Sequence, residues 1–407
     1  MRAACIALLS VALPSVGLLS IACATPLSSR DAGPLDAGPL DAGAPEAGLD
    51  ASVDADRDSG TDAGPPPLDP IEITAPSPLL GSDGELIAHG WARHPHMQYD
   101  RSAVRADLAD RVREWEYYAV YAPDFALSVT LTDIGLLTLG TLSVQDYASG
   151  EVVSETLLGG RGELALPPTP FESTSWPRSD GLVELLYAAG LRTVRFRAGA
   201  DGVFERADAE LEVLDDPAGE SIAVVTRFAE DPGLFFYENK RVALPATGRV
   251  RLGARTWTLP ASGAFAVIDW GRGAWPADVH WDWAAGGGTS GGHRVGINLG
   301  SVHGDDSRGT ADAVIVDGVL HKIDRVFWDF DPEDPSRPWR FTSMDGRLDL
   351  TLAPDFDESS MIALGPRHSM RTLKMHGTFS GTVELDDGSV LAIDGVRGAA
   401  EHVLIRW

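Results

Sequence analysis

Residues that could transfer protons or bind a ligand are concentrated between residues 257 and 339, where seven of the 11 tryptophans lie. A carboxyl group in apolar surroundings has a raised pKa and can then act as a general acid. The candidate acids are three carboxylates that stand next to aromatic residues or near the C-terminus: Asp269, Glu116 and Glu401. His321 and His402 are alternative proton donors.

The same stretch has the composition of a small-molecule pocket. Tryptophan supplies large, rigid apolar surface, and a few polar groups orient a ligand. Glycines at 286–288 and 291–292 are expected to form a mobile loop at the pocket mouth. The alternative is that the tryptophans form a β-protein core and that Asp269 and Arg272 form a structural ion pair. The expected ligand-binding residues are Trp270, Arg272, Trp275, Trp281, Trp283, Asn298 and His321.

Residue types and motifs exclude several other chemistries. Cys5 and Cys23 are the two cysteines, so the region after residue 24 has no disulfide, cysteine nucleophile or cysteine metal site. No glycine-rich phosphate loop stands between a strand and a helix, and no nucleotide or other cofactor is expected. No metal is expected either, because Pro95 separates two of the histidines near residues 89–96. A net charge of −27 argues against nucleic acid as a partner.

The N-terminal region predicts export. Residues 1–23 combine a basic start with an apolar stretch and end in Leu19-Ser-Ile-Ala-Cys23, which resembles a bacterial lipoprotein signal with Cys23 as the lipid-attachment site. Residues 24–70 contain 9 Asp and 1 Glu against 2 Arg and repeat Asp-Ala-Gly, which predicts a disordered acidic linker. We expect a lipid-anchored protein of the bacterial envelope. A soluble periplasmic or secreted protein is the alternative, since Ala22-Cys23-Ala24 also fits a secretory cleavage site.

The remaining residues have the pattern of β-strands. Apolar residues alternate between Tyr117 and Val144. Asp-Gly pairs that suit tight hairpins stand at 317–318, 345–346 and 387–388. Two helices are predicted, over 102–115 and near 181–189. We therefore predict an all-β fold of antiparallel barrels or sandwiches with one or two short helices.

An internal repeat predicts two related domains. The segments that begin at Trp115-Glu-Tyr-Tyr118 and Trp281-Asp-Trp-Ala284 align without a gap when Trp281 is placed on Trp115, and each is followed by a similar strand pattern. We interpret them as parts of an N-terminal β-domain over 71–240 and a C-terminal β-domain over 241–407. The alternative is a chance match of one aromatic pair and one strand.

Longer motifs add a resemblance. Arg113-Glu-Trp-Glu-Tyr-Tyr118, Tyr237-Glu-Asn-Lys240, Asp269-Trp-Gly-Arg272, Gly296-Ile-Asn-Leu-Gly300 and Trp339-Arg-Phe-Thr-Ser343 come in the order found in the domain of unknown function 2804 family. The chain resembles that family over about 74–407 and departs from its pattern at 374–376 and 398–402. The family has no established activity. More remotely, the paired β-domains resemble the lipocalin-like pairs of carotenoid hydratases and fungal Diels–Alderases. This implies lipocalin-like barrels and a pocket for a polyene, isoprenoid or fatty chain.

Together, these observations predict a protein that binds a hydrophobic small molecule, lipid-like or isoprenoid-like, in a tryptophan-rich pocket centred on residues 269–298. The first alternative is an enzyme that acts on an apolar substrate by general acid catalysis, as a hydratase, cyclase or isomerase. The second alternative is a glycan-binding or structural surface domain.

Overall fold

A computed structural model describes residues 68–200, 202–300, 304–363 and 368–406. The predicted signal segment 1–23, with Cys23, and nearly all of the predicted linker 24–70 lie outside the described residues. Pro67–Trp407 forms one compact unit. Within the described ranges, every helix is too short or too polar to span a bilayer.

The described chain begins with short elements. These are the strands β1 (Ser77–Pro78), β2 (Gly90–Ala92) and β3 (Met97–Gln98), followed by 3₁₀ helices over Arg101–Ala103 and Ala106–Arg111. The single helix predicted over 102–115 is therefore wrong: two short 3₁₀ helices, interrupted at Val104 and Arg105, end at Arg111, and a strand begins at Val112. Val112, Trp115 and the aromatic residues after them favour an extended chain, because branched and aromatic side chains pack well on a pleated sheet.

The first large sheet uses residues before 275. Among the described residues it has 13 strands, in the order β7-β6-β5-β4-β15-β13-β11-β10-β9-β8, with β2, β12 and β14 joined to its side. Its remaining strands are β4 (Val112–Tyr121), β5 (Phe125–Asp133), β6 (Thr138–Asp146), β7 (Glu151–Gly159), β8 (Thr174–Arg178), β9 (Gly181–Ala188), β10 (Leu191–Ala200), β11 (Val203–Leu214), β12 (Ile222–Arg227), β13 (Phe235–Leu252), β14 (Arg255–Thr258) and β15 (Phe265–Ala274).

The second large sheet uses residues from 278 onward. Its described strands follow the order β19-β18-β17-β16-β25-β24-β22-β21-β20, with β23 paired to β24. They are β16 (Asp278–Ser290), β17 (His293–Leu299), β18 (Ala313–Val316), β19 (Val319–Lys322), β20 (Val326–Asp329), β21 (Trp339–Ser343), β22 (Leu348–Asp357), β23 (Ser360–Ala363), β24 (Ser369–Glu384) and β25 (Val390–Arg406). Two curled antiparallel sheets with very little helix confirm the all-β prediction.

The two sheets share one strand order. In the first sheet, β4 to β7 lie side by side in chain order, and β15, the last strand in sequence, pairs with β4. In the second sheet, β16 to β19 lie side by side in the same way, and β25, the last strand in sequence, pairs with β16. The first of the four is β4 in one sheet, beginning at Val112, and β16 in the other, beginning at Asp278. Trp115 and Trp281 therefore occupy the same position within their strands. The chain passes from the first sheet to the second between β15 and β16. The division into domains at residue 240 stays a prediction.

The helix predicted near 181–189 is wrong. Residues Gly181–Ala188 form β9, which pairs with β10 through a tight turn at Ala189 and Gly190. Both turn residues have positive φ, 49° and 81°, as a type I′ hairpin requires. Val183 and Leu185 are buried while their neighbours are partly exposed, and this alternation is that of a strand.

Glycine-containing turns join several other strand pairs. The predicted Asp-Gly pairs at 317–318, 345–346 and 387–388 join β18 to β19, β21 to β22 and β24 to β25. Only Asp317–Gly318 has positive φ at both residues, so type I′ geometry among these three is confirmed there alone. The expected mobile loop at 286–292 is wrong, because 286–290 belong to β16 and 291–292 form its turn to β17.

Alternation along the central strands separates the interior of each sheet from the contact between sheets. In β4, Tyr118 and Val120 point into the core of the first sheet, whereas Ala119 and Tyr121 pack toward the second sheet. A Cβ at Gly287 would lie 2.9 Å from the Cα of Ala243, so glycine lets the two sheets approach closely there.

Candidate functional site

A cavity of about 270 Å³ lies between the two sheets. The first sheet contributes side chains from β4, β5, β13 and β15, and the second sheet contributes side chains from β16, β24 and β25. Six aromatic residues line it: Trp115, Tyr117, Phe236, Trp275, Trp281 and Trp283. Its charged lining residues are Glu238, Lys240, Asp269, Lys374 and Glu401.

Glycines in β15 make room for two of the indole rings. Side chains alternate along a strand, so Asp269, Gly271 and Gly273 share the face that borders the cavity. A Cβ at Gly271 would lie 2.4 Å from the ring of Trp115, and one at Gly273 would lie 2.6 Å from Nε1 of Trp275. The two glycines of the Trp-Gly-Arg-Gly sequence therefore leave room for the indole rings to pack directly on the backbone of β15.

The first sheet places a lysine, a carboxylate and a tryptophan together. Lys240 and Asp269 are register partners on β13 and β15, and Lys240 Nζ lies 2.8 Å from Asp269 Oδ1 and 3.1 Å from Glu238 Oε2. Trp115 Nε1 donates a hydrogen bond to Asp269 Oδ2 at 3.1 Å. Burial alone would lower the pKa of Lys240, but the two carboxylates outweigh it and raise that pKa.

The second sheet repeats this unit on the facing wall. Lys374 and Glu401 are register partners on β24 and β25, and Trp281 Nε1 donates a hydrogen bond to Glu401 Oε1 at 2.9 Å. Here the lysine is closer to a different carboxylate: Lys374 Nζ lies 3.9 Å from Glu401 Oε2 but 3.0 Å from Glu358 Oε2. Burial raises the pKa of Glu401, and the attraction of Lys374 offsets this in part.

Rings connect the two units. Tyr117 is the register partner of Asp269, and Trp283 is the register partner of Glu401. The centroids of these two rings lie 5.9 Å apart in an edge-to-face contact. Lys240 Nζ lies 4.3 Å from the centre of the Trp283 ring, a cation–π distance. The ammonium group of one sheet therefore contacts the aromatic wall of the other.

A line of polar groups leads from Lys374 away from the cavity. Glu358 Oε2 lies 2.8 Å from His376 Nε2, and His376 Nδ1 lies 3.3 Å from the hydroxyl of Tyr147. Burial lowers the pKa of His376, although Glu358 opposes this shift. The neutral imidazole can therefore connect Glu358 and Tyr147 by hydrogen bonds at neutral pH.

The structure brings five of the residues predicted from the sequence into the cavity lining: Asp269, Trp275, Trp281, Trp283 and Glu401. Asn298 is fully buried behind that lining. Its Oδ1 accepts a hydrogen bond from Trp283 Nε1 at 2.9 Å, and its Nδ2 donates one to the carbonyl of Ala311. Asn298 therefore positions a lining residue and is not itself part of the lining.

Other predicted residues lie elsewhere. Arg272 and Glu116 lie on the faces of β15 and β4 that point away from the cavity. They pair with each other, with 3.3 Å between Arg272 Nη2 and Glu116 Oε1. The alternative of an ion pair between Asp269 and Arg272 is wrong, because residues three apart on a strand lie on opposite faces of it. Trp270 is buried under Arg272 and Tyr237. His321 lies outside the lining, where its Nδ1 accepts a hydrogen bond from the backbone of Asp386.

Two lysines and a glutamate of the site were not predicted from the sequence. Glu238 and Lys240 alternate with Phe236 along β13, and all three line the cavity. Charged residues at every second position of a buried strand are a usable signal, because a buried charge needs a partner. Lys374 has the same signal, since it stands two residues before buried His376.

In the described ranges, no three His, Cys, Asp or Glu side chains are grouped as a metal site would require. The chemistry that the cavity can offer with its own side chains is proton transfer, hydrogen bonding and apolar contact.

The chain is therefore an all-β protein of two curled antiparallel sheets with a cavity between them. The chain belongs to the family described as Domain of unknown function (DUF2804), whose model matches residues 70–407 and confirms the resemblance. It is similar in structure to kievitone hydratase from Nectria haematococca, with 10% identity and a TM-score of 0.42 over 72% of this chain and 88% of that chain. It is also similar to a protein assigned as AttH from Nitrosomonas europaea, with 12% identity and a TM-score of 0.40 over 72% of this chain and 92% of that chain. No curated protein matches it in sequence.

Proposed function

We propose that the protein binds a hydrophobic small molecule in the cavity between the two sheets. The observation that carries this proposal is the lining itself, in which four tryptophans surround an open space of about 270 Å³. Small-molecule sites are mostly apolar cavities of ~300 Å³ or more with a few polar groups, and the volume of this cavity is just below that range.

The alternative, in which the tryptophans are only hydrophobic core residues, is less consistent with the empty volume of the cavity. Protein interiors are close-packed, with few voids larger than one water molecule. A water molecule takes up ~30 Å³ of liquid, so the cavity has the volume of several waters. Close packing of Trp115, Trp281 and Trp283 as core residues would have filled that space.

Retained ligand is the direct test. The purified protein is compared by native and denaturing mass spectrometry, where a bound molecule adds mass only in the native spectrum. We expect Trp283→Ala to reduce the retained mass. The matched control is Trp176→Ala, which removes a buried tryptophan from the first-sheet core away from the cavity. Equal retention by both variants, or no retained or added apolar ligand in the folded wild type, would overturn the proposal.

A second function is favoured by Glu401. Its carboxyl borders the cavity and has a pKa raised by burial, as a general acid for an apolar substrate requires. We propose proton donation by Glu401 as the enzymatic alternative. Incubation of the identified ligand with the protein in D₂O tests it: deuterium in the ligand, lost in Glu401→Gln with binding intact, supports catalysis. An unlabelled ligand in wild type contradicts it.

We also propose, from the sequence of residues 1–23, that the chain is exported and anchored through a lipid on Cys23. Metabolic labelling with radioactive palmitate in a bacterial host tests this. Label that disappears in Cys23→Ser supports the anchor, and an unlabelled, soluble wild-type protein contradicts it.

A further inference from the structure

A row of apolar side chains leads from the cavity to the edge of the second sheet. Ile405, Met370 and Ile362 are register partners on β25, β24 and β23. Register partners lie on the same face of a sheet, and Ile405 and Met370 line the cavity, so Ile362 lies on the cavity side as well. Exposure increases along this row, from 9% at Ile405 to 38% at Ile362. The apolar wall of the cavity therefore continues to the protein surface.

The wall formed by the first sheet also ends in an exposed apolar residue. Trp115 and Thr132 line the cavity and are register partners on β4 and β5. The same row continues through Leu139 on β6 to Leu158 on β7, the strand at the end of this sheet. Leu158 is 39% exposed. A single exposed leucine or isoleucine is ordinary on a protein surface. Here, however, both walls of one cavity lead to such a residue on an outer strand.

We propose that the cavity continues into an open apolar subsite over Met370 and Ile362, and that the ligand has a flexible hydrocarbon chain whose end lies in this subsite. The inference rests on the proposed function and adds a ligand class to it. A compact molecule enclosed by the tryptophans would not reach Ile362, whereas an extended chain suits a strip one side chain wide. Arg371 follows Met370 but lies on the opposite face of β24, so the strip itself is uncharged.

Chain length and two substitutions test the subsite. Quenching of tryptophan fluorescence on the full protein compares the binding of 1-hexanol, 1-decanol and 1-tetradecanol. Affinity should rise with chain length, by about fourfold for each methylene that fully leaves water and by less on an open surface. We expect Ile362→Ser to weaken the binding of 1-tetradecanol about fivefold and to leave that of 1-hexanol unchanged. Met361→Ser is the matched control, because Met361 is the neighbouring residue of β23, is 74% exposed and lies on the opposite face.

The outcomes distinguish this inference from the proposed function. If 1-tetradecanol binds equally well to wild type and Ile362→Ser, or if Met361→Ser weakens its binding as much, the subsite is overturned while the cavity remains a binding site for 1-hexanol. An equal loss of 1-hexanol and 1-tetradecanol in Ile362→Ser would also overturn the subsite, because the substitution would then act on the cavity as a whole. If the folded wild type binds none of the three alcohols, the proposed function fails and the subsite fails with it.

Discussion

Trp281 holds Glu401 at the cavity wall through an indole Nε1–carboxylate hydrogen bond of 2.9 Å. The bond has a counterpart at the equivalent position of the first sheet, where Trp115 donates to Asp269 at 3.1 Å. In both cases the carboxylate is on the last strand of its sheet and the indole on the strand beside it. The two units differ in the distance from the lysine to the carboxylate. Lys240 contacts Asp269 directly, whereas Lys374 lies 3.9 Å from Glu401.

The surroundings of Glu401 predict a pH dependence of stability for this residue. Burial raises its pKa despite the attraction of Lys374, so the folded state holds the proton more tightly than the unfolded state. The resulting stabilisation is present below the unfolded pKa and is lost as pH rises through the folded pKa. We therefore expect Glu401→Gln to gain stability relative to wild type as pH rises above the unfolded pKa of glutamate, ~4.3.

Urea denaturation at several pH values measures the difference between variant and wild type. Glu151→Gln serves as the control, because Glu151 pairs with Arg255 at the exposed surface and has no such environment. A stability difference for Glu401→Gln that stays constant across the range would contradict the raised pKa.

Glu358 should have the opposite dependence. Burial by itself would raise its pKa, but Lys374 and His376 outweigh burial and lower the pKa to about 2. A depressed carboxyl pKa stabilises the fold above the unfolded value, and this stabilisation is lost as pH falls through the folded value. A tenfold change in an ionisation constant corresponds to ~1.4 kcal/mol, so Glu358→Gln should cost on the order of 3 kcal/mol at pH 7. Guanidinium denaturation at pH 7 and pH 3 should find a much smaller cost at the lower pH, and an equal cost at both would be inconsistent with this account.

The strand pattern and the repeat of this fold could be predicted from local sequence. Alternating apolar residues near Phe125 and Val129 and the Asp317–Gly318 turn determine their own conformation. The segment 181–189 could not be assigned that way, because its apolar residues also fit one face of a helix. What decides it is pairing with β10 through the strained Ala189 turn, which is a contact between segments and not a property of either one.

Only some of the residues of the candidate site could be predicted from the sequence, because the face on which a side chain lies also depends on how strands pair. A shift of one residue along a strand changes the face on which a side chain lies. Asp269 therefore borders the cavity while Trp270 and Arg272 do not, although all three belong to one motif. Asp387–Gly388 predicts that β24 and β25 pair, but the register that places Lys374 opposite Glu401 includes an irregularity between Phe379 and Gly381. That register could be seen only in the folded chain.

The buried pair outside the cavity should contribute to stability without affecting the ligand. Arg272 donates to the carbonyls of Pro167, Trp115 and Gly271 and pairs with Glu116, all on the far side of β15. Arg272→Met leaves the Glu116 carboxyl buried without its cation, which costs ~3–5 kcal/mol. Denaturation should find part of this recovered in the double variant with Glu116→Leu. Ligand retention in whatever protein remains folded should match wild type, and a selective loss of ligand would place Arg272 in the binding machinery instead.

Gly271 should not tolerate a side chain without displacing the ring of Trp115. Its Cβ would lie 2.4 Å from two ring carbons of Trp115, so Gly271→Ala must displace the indole and weaken its hydrogen bond to Asp269. Overpacking of this kind costs ~1–3 kcal/mol. Gly160→Ala is the control, because the nearest atoms there belong to the flexible end of Glu163. A double-mutant cycle with Trp115→Leu, measured by urea denaturation, isolates the clash: the cost of Gly271→Ala should largely vanish once the ring is absent. A cost that is the same in both backgrounds would mean that the backbone of β15, and not the space beneath Trp115, requires glycine.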